Sequence, residues 1–138
     1  MSELPKITKD PMYQLLRVDN VKAFNIKKEA GGTCDLVCVN LRALDLRGLN
    51  TDGLDFTDSY MRDADLRGVD FSQAILKGVN IRGAKISGAL FPVELSPEEI
   101  RLSHELGSRM RYNPSYPKRS ITEGADQDNK DSQDNQDE

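Results

Sequence analysis

The sequence predicts an all-β solenoid held between short helical caps, and three observations predict it. From Cys34 to Phe91 the chain reads in words of five letters: CDLVC, VNLRA, LDLRG, LNTDG, LDFTD, SYMRD, ADLRG, VDFSQ, AILKG, VNIRG, AKISG and the closing ALF. The third letters, Leu36, Leu41, Leu46, Thr51, Phe56, Met61, Leu66, Phe71, Leu76, Ile81, Ile86 and Phe91, are apolar in every case but Thr51. Helix-start signals flank the run on both sides, Asp10-Pro11 before it and Ser96-Pro97-Glu98-Glu99 after it.

Taken in order, residues 1–10 carry no periodicity and read as a flexible arm. Residues 11–32 read as an N-terminal helical cap of two short helices or one bent helix. Asp10 can accept from orphan amides and Pro11 suits a first turn, where its missing donor costs nothing. Met12, Leu15 and Leu16 then follow at the spacing of one helical face. Asp19-Asn20 breaks that run and caps a second helix carrying Val21, Phe24 and Ile26, which ends at Gly31-Gly32.

Residues 33–92 hold the repeat, and its logic is steric. Alternation of period two turns the first letter and the centre to one side, while the second and fourth point away. The fifth letter, Gly at 48, 53, 68, 78, 83 and 88, falls where the chain must bend. Small first letters and larger centres close the chain around a narrow core. By this phase Cys34 faces in and Cys38 out, which argues against a disulfide between them and fits a reducing compartment.

Residues 93–116 read as a C-terminal helical cap with a trailing segment. Ser96 and Glu99 form a capping box in which each side chain satisfies the other's backbone donor, and the helix runs from Pro97 to about Leu106, with Gly107 at its end. Residues 117–138 are charged, polar and poor in apolar side chains, the composition of a disordered acidic tail.

The words ADLRG, VDFSQ and VNIRG, with LDLRG close behind, resemble the pentapeptide-repeat family, whose pattern is a small residue, Asp or Asn, Leu or Phe, and two variable positions. The resemblance covers residues 34–91. It implies a right-handed quadrilateral β-helix with four words per coil, and hence about three coils. Thr51, Tyr60, Ile75, Lys85 and Leu90 depart from the pattern without shifting its phase.

Four words per coil place residues twenty apart above one another. Arg42, Arg62 and Arg82 then form a ladder beside Asn40, Tyr60 and Asn80, and Asp45 lies over Asp65 beside Arg47 over Arg67. Arg and Tyr are favoured interface anchors, so the face of Arg42, Tyr60, Arg62 and Arg82 is the candidate contact for a protein partner. Leu102, Leu106 and Met110 make one apolar stripe if the helix continues past Gly107, which offers a surface for a homodimer.

Charge separates the remaining readings. The whole chain carries −4, but seven acidic residues against one lysine lie after Thr122, so the ordered part is slightly basic. Within residues 34–91, eight Asp face seven Lys or Arg. Some pentapeptide-repeat proteins resemble a DNA duplex and occupy the DNA site of type II topoisomerases such as gyrase, as inhibitors or protectors. That alternative needs faces dominated by carboxylates, which this solenoid lacks. Nucleic-acid binding by the arginine ladder is disfavoured by the interleaved Asp and Asn.

Catalysis has no visible machinery: His104 stands alone, the two cysteines make no zinc set, the Asp residues fall where the repeat already requires them, and no phosphate loop is present. No cofactor, metal or small-molecule substrate is expected. No apolar run reaches membrane-spanning length and no secretory signal is seen. The resulting expectation is a cytoplasmic, bacterial, non-enzymatic binding or scaffold module.

Overall fold

A computed structural model describes residues 4–114. Its helices are α1 (Pro11–Arg17), α2 (Val21–Glu29) and α3 (Pro97–Leu106), and the repeat lies between α2 and α3. Among the described residues the repeat contains no extended strand. Its walls are joined instead by isolated parallel bridges at one constant offset: Asn40 to Tyr60 to Asn80, Asp45 to Asp65 to Lys85, Asp55 to Ile75 and Asp70 to Leu90. An offset of twenty means that four words complete one coil before the chain passes over itself.

The absence of strands follows from the corners. The N–H of each first letter from Leu44 to Ala89 donates to the carbonyl of the preceding centre, as in Val69 to Leu66 (3.1 Å) and Ala84 to Ile81 (2.9 Å), whereas the Val39 N–H goes to the Ser59 hydroxyl. The bond to the centre closes a four-residue turn over the fourth and fifth letters. In every word but VDFSQ the fifth letter takes positive φ, as a type II turn requires: 79° at Gly78, and without glycine 64° at Ala43 and 60° at Asp63. Only two or three residues remain for each straight wall, too few for a ladder.

The second letter has a mechanism of its own. Its carboxylate or amide oxygen accepts the N–H of the fourth letter, from Arg42 to Asn40 (2.9 Å), Ser72 to Asp70 (2.9 Å) and Arg82 to Asn80 (3.0 Å). This Asx turn braces the corner from outside. Tyr60, Ile75, Lys85 and Leu90 cannot supply that acceptor, and their words keep the register without it, chiefly through main-chain bonds.

Inside, the centres from Leu36 to Ile81 are all buried, and Ile86 and Phe91 are half-buried. Phe71 meets Phe56 edge-on at 6.0 Å and stacks on Phe91 at 6.2 Å. The polar centre Thr51 is accommodated because its hydroxyl donates to the Asp70 carbonyl (2.6 Å). Ser59, a buried first letter, ties two coils together: its hydroxyl donates to the Leu36 carbonyl (2.5 Å) and accepts the Val39 N–H (3.0 Å).

The N-terminal end and part of the C-terminal end are covered, with three departures from expectation. Residues 4–9 do not hang free: Lys6 bridges Val39, taking the place of a missing coil below it. Asp10 caps α1 and also accepts the Asp35 N–H (2.8 Å), while the fully buried Tyr13 donates its hydroxyl to the Asn40 carbonyl (2.6 Å). Ile26 points to solvent, and the buried anchor of α2 is Phe24. Ser96 caps α3 through the Glu99 N–H (3.1 Å), but Glu99 does not return the bond. Its carboxylate takes a bidentate contact from Arg111 and the Arg111 N–H (2.9 Å), since a charge-assisted fork outweighs one neutral amide. The expected acidic tail lies outside the described residues.

Ser59→Ala leaves a buried carbonyl and a buried N–H without partners, and should lower unfolding free energy by about 1–3 kcal/mol. Phe71→Ala should cost about 3–5 kcal/mol. Urea denaturation followed by circular dichroism measures both, and an unchanged midpoint for either contradicts the packing described.

Candidate functional site

The coil has four outward walls. The first carries residues 34–38, 54–58 and 74–78; the second 39–43, 59–63 and 79–83; the third 44–48, 64–68 and 84–88; the fourth 49–53, 69–73 and 89–93. On the second wall, the bridges through Asn40, Tyr60 and Asn80, with Ala43 N–H to the Arg62 carbonyl (2.8 Å) and Asp63 N–H to the Arg82 carbonyl (2.9 Å), put Arg42, Arg62 and Arg82 in one column beside Tyr60. All four expected residues therefore lie on one wall.

Their pairing is sparse. Arg42 approaches Asp63 at 3.7 Å with both side chains largely exposed, a contact of little energetic weight. Arg62 and Arg82 make no ion pair, and the Tyr60 hydroxyl no hydrogen bond, among the described residues. Asn80 is buried beneath the end of α3, where its amide donates to the Gly107 carbonyl (2.8 Å), and Gly107 lies against the Arg82 stem. Arg17 extends the column downward with a 3.4 Å bond to the Asn40 carbonyl.

The third wall differs because its charges are mutually committed. Arg47 forks onto Asp45 (2.9 and 2.7 Å) and reaches Asp65 at 3.4 Å, and Arg67 forks onto Asp65 (2.8 and 2.6 Å). Hydrogen bonds from Arg67 hold the Asp65 carboxyl well below the usual range, and those from Arg47 lower Asp45. Arg47 is raised in turn, chiefly by its hydrogen bonds to Asp45.

The C-terminal residues do not form the expected stripe. α3 ends at Leu106 because Gly107 turns left-handed (φ 78°). Leu102 and Leu106 remain exposed at 39% and 69%, but Met110 is 1% exposed. It lies on the last coil, donating its N–H to the Val79 carbonyl (3.0 Å) and accepting that of Gly78 (2.7 Å). Other cap groups do the same work: the Ser103 hydroxyl accepts the Ile81 N–H (3.0 Å), the Tyr112 hydroxyl that of Leu76 (2.9 Å), and the His104 carbonyl that of Gly83 (3.1 Å). A periodicity search misses these partners, because they answer vacancies on the coil edge and follow no pattern of their own.

The groups that could do chemistry are engaged in structure. The hydroxyls of Thr51, Ser59 and Ser103 bond to main chain, and His104 Nε2 donates to the Ala84 carbonyl (2.8 Å). Cys34 and Cys38 form no disulfide, and burial pushes Cys34 up to about 11, away from the reactive thiolate. No group of three or more potential metal ligands occurs among the described residues. No helix of the described residues is long and apolar enough to cross a membrane.

A family model described as pentapeptide repeats matches the chain in eight copies, over residues 34–73 and 55–91. No curated protein and no solved structure matches it.

The third wall predicts a pH response. Asp45 and Asp65 have folded pKa values below the unfolded value of about 3.9, so their stabilisation is fully present above that pH and disappears as pH falls through the folded values. Urea midpoints should therefore show no pH dependence from these groups between neutrality and about pH 5, and a decline below about pH 4 that Asp65→Asn makes shallower. Parallel curves for the two proteins would contradict the assignment.

Proposed function

Residues 34–91 belong to the pentapeptide-repeat family, and from that premise we propose that the chain is a non-enzymatic binding module that holds a protein partner against its second wall. The observation that carries this is the contrast between walls. Of the arginines within the repeat, Arg47 and Arg67 are forked onto carboxylates and Arg42 touches one, whereas Arg62 and Arg82 have none among the described residues. A guanidinium beside an aromatic ring, free of internal partners, is an anchor available to another protein. In this reading the coil is the right-handed, four-sided β-helix of the family, and two cysteines outside any disulfide suit a cytoplasmic setting.

Imitation of a DNA duplex finds less support. It needs carboxylates along a continuous face, and here the Asp residues of the third wall are neutralised by Arg47 and Arg67. Supercoiling by purified gyrase should be unchanged by the protein.

Self-association is a second reading, favoured by the open part of the C-terminal end. Among the described residues the N–H groups of Ile86, Gly88 and Phe91 donate no hydrogen bond, and Leu90, Val93, Leu102 and Leu106 are exposed at 56%, 62%, 39% and 69%. With Met110 withdrawn into the coil, the surface for a second copy consists of these residues.

Arg62→Glu combined with Arg82→Glu should abolish recovery of the partner in affinity capture from native lysate while leaving the circular dichroism spectrum intact; unchanged recovery removes the second wall from the proposal. Light scattering over a concentration series should show a dimer that Leu102→Glu with Leu106→Glu dissociates. A monomer at every concentration contradicts self-association.

A further inference from the structure

The partner's chemistry can be taken one step further, on the reading that the second wall is the binding face. We propose that the occupant of that wall is an acidic α-helix of a partner protein, lying along the solenoid axis with carboxylates at positions i, i+3 or i+4, and i+7. Ala43 bonds to the Arg62 carbonyl and Asp63 to the Arg82 carbonyl, so successive arginines are one main-chain hydrogen bond apart. That spacing is about 4.8 Å, and Arg42 to Arg82 spans about 10 Å.

An α-helix rises 1.5 Å per residue, which puts carboxylates three or four and then seven residues on at about 4.5–6 and 10.5 Å, matching the column at every step. Acidic side chains on one face of an extended strand recur at about 6.7 Å, so the third misses its arginine by about 4 Å. Width gives the same answer. A wall of about three extended residues is about 10 Å across, close to the diameter of a helix with its side chains. A nucleic-acid duplex would overhang the first wall, where Asp35 and Asp55 oppose phosphate.

Charge selects the sign of the occupant. The second wall presents Arg42, Arg62 and Arg82, with Arg17 at its foot, against the single carboxylate of Asp63. Asp63 is itself packed on Gly83, where an added Cβ would collide with its oxygen, so it is held to the edge of the wall. The half-buried Tyr60 offers a ring in the middle of the column against which the aliphatic stems of glutamates can rest.

The test uses the full chain and three fluorescent probes: a helical peptide with glutamates at i, i+4 and i+7, a peptide of identical composition with glutamates at i, i+2 and i+4, and a short DNA duplex. Anisotropy titration should show the first bound at least about tenfold more tightly than the other two, an advantage of about 1.4 kcal/mol. Binding should weaken as salt is raised, fall by about tenfold or more in the Arg62→Glu, Arg82→Glu protein, and survive largely in Arg62→Lys. Equal binding of the two peptides, tighter binding of the duplex, or no binding overturns the proposal. If the double variant loses its lysate partner while none of the probes binds, the protein-binding reading stands and the acidic helix falls.

Discussion

The structure depends on one recurring event, a corner every five residues. Nearly every corner is made by a first-letter N–H reaching back to the preceding centre, with the fifth letter at positive φ and, in most words, an Asp or Asn bracing the fourth letter from outside. Because the corner occupies the fourth and fifth letters, only the first and third can build a core, and the walls are too short to be strands. Because four corners close a coil, the main chain meets itself at an offset of twenty, and every outward side chain acquires a fixed neighbour above and below. Shape, core and surface columns all descend from that turn.

A stack of about three coils has two ends and little middle, so satisfying the end edges is a large part of its folding problem. The chain meets it with scattered side chains and main chain that stand in for missing coils. Lys6, Asp10, Tyr13 and Asn25 serve the lower edge, and Ser103, His104, Met110 and Tyr112 the upper. The short helices are carriers for these groups as much as they are hydrophobic lids. Their reach also explains why part of the upper edge stays open: the cap covers residues 76–84 and leaves the N–H groups of Ile86, Gly88 and Phe91.

On the outer surface, composition is a poor guide and register a good one. Eight Asp and seven basic residues within the repeat suggest a neutral, featureless exterior. The columns sort them otherwise. Where a second-letter Asp precedes a fourth-letter Arg, as on the third wall, the pair closes on itself. Where the second letter is Asn or Tyr, as on the second wall, the arginine is left for something else. The difference between a spent charge and an available one is thus a single letter two positions upstream.

The repeat, its phase and the inward residues were legible in the sequence because the corner is local: each word contains nearly all that its own turn needs, and eleven such words repeat the message. The helix starts at Asp10, Asn20 and Ser96 were legible for the same reason. The arginine column followed once four words were taken per coil. What the tertiary structure alone decided concerns the ends. That Lys6 bridges Val39 and that Met110 enters the last coil instead of extending an apolar stripe both depend on which main-chain groups the first and last coils leave unpaired. Those vacancies exist only after the coil has closed, and their partners are chosen by position in space across many residues of chain, which no local pattern records.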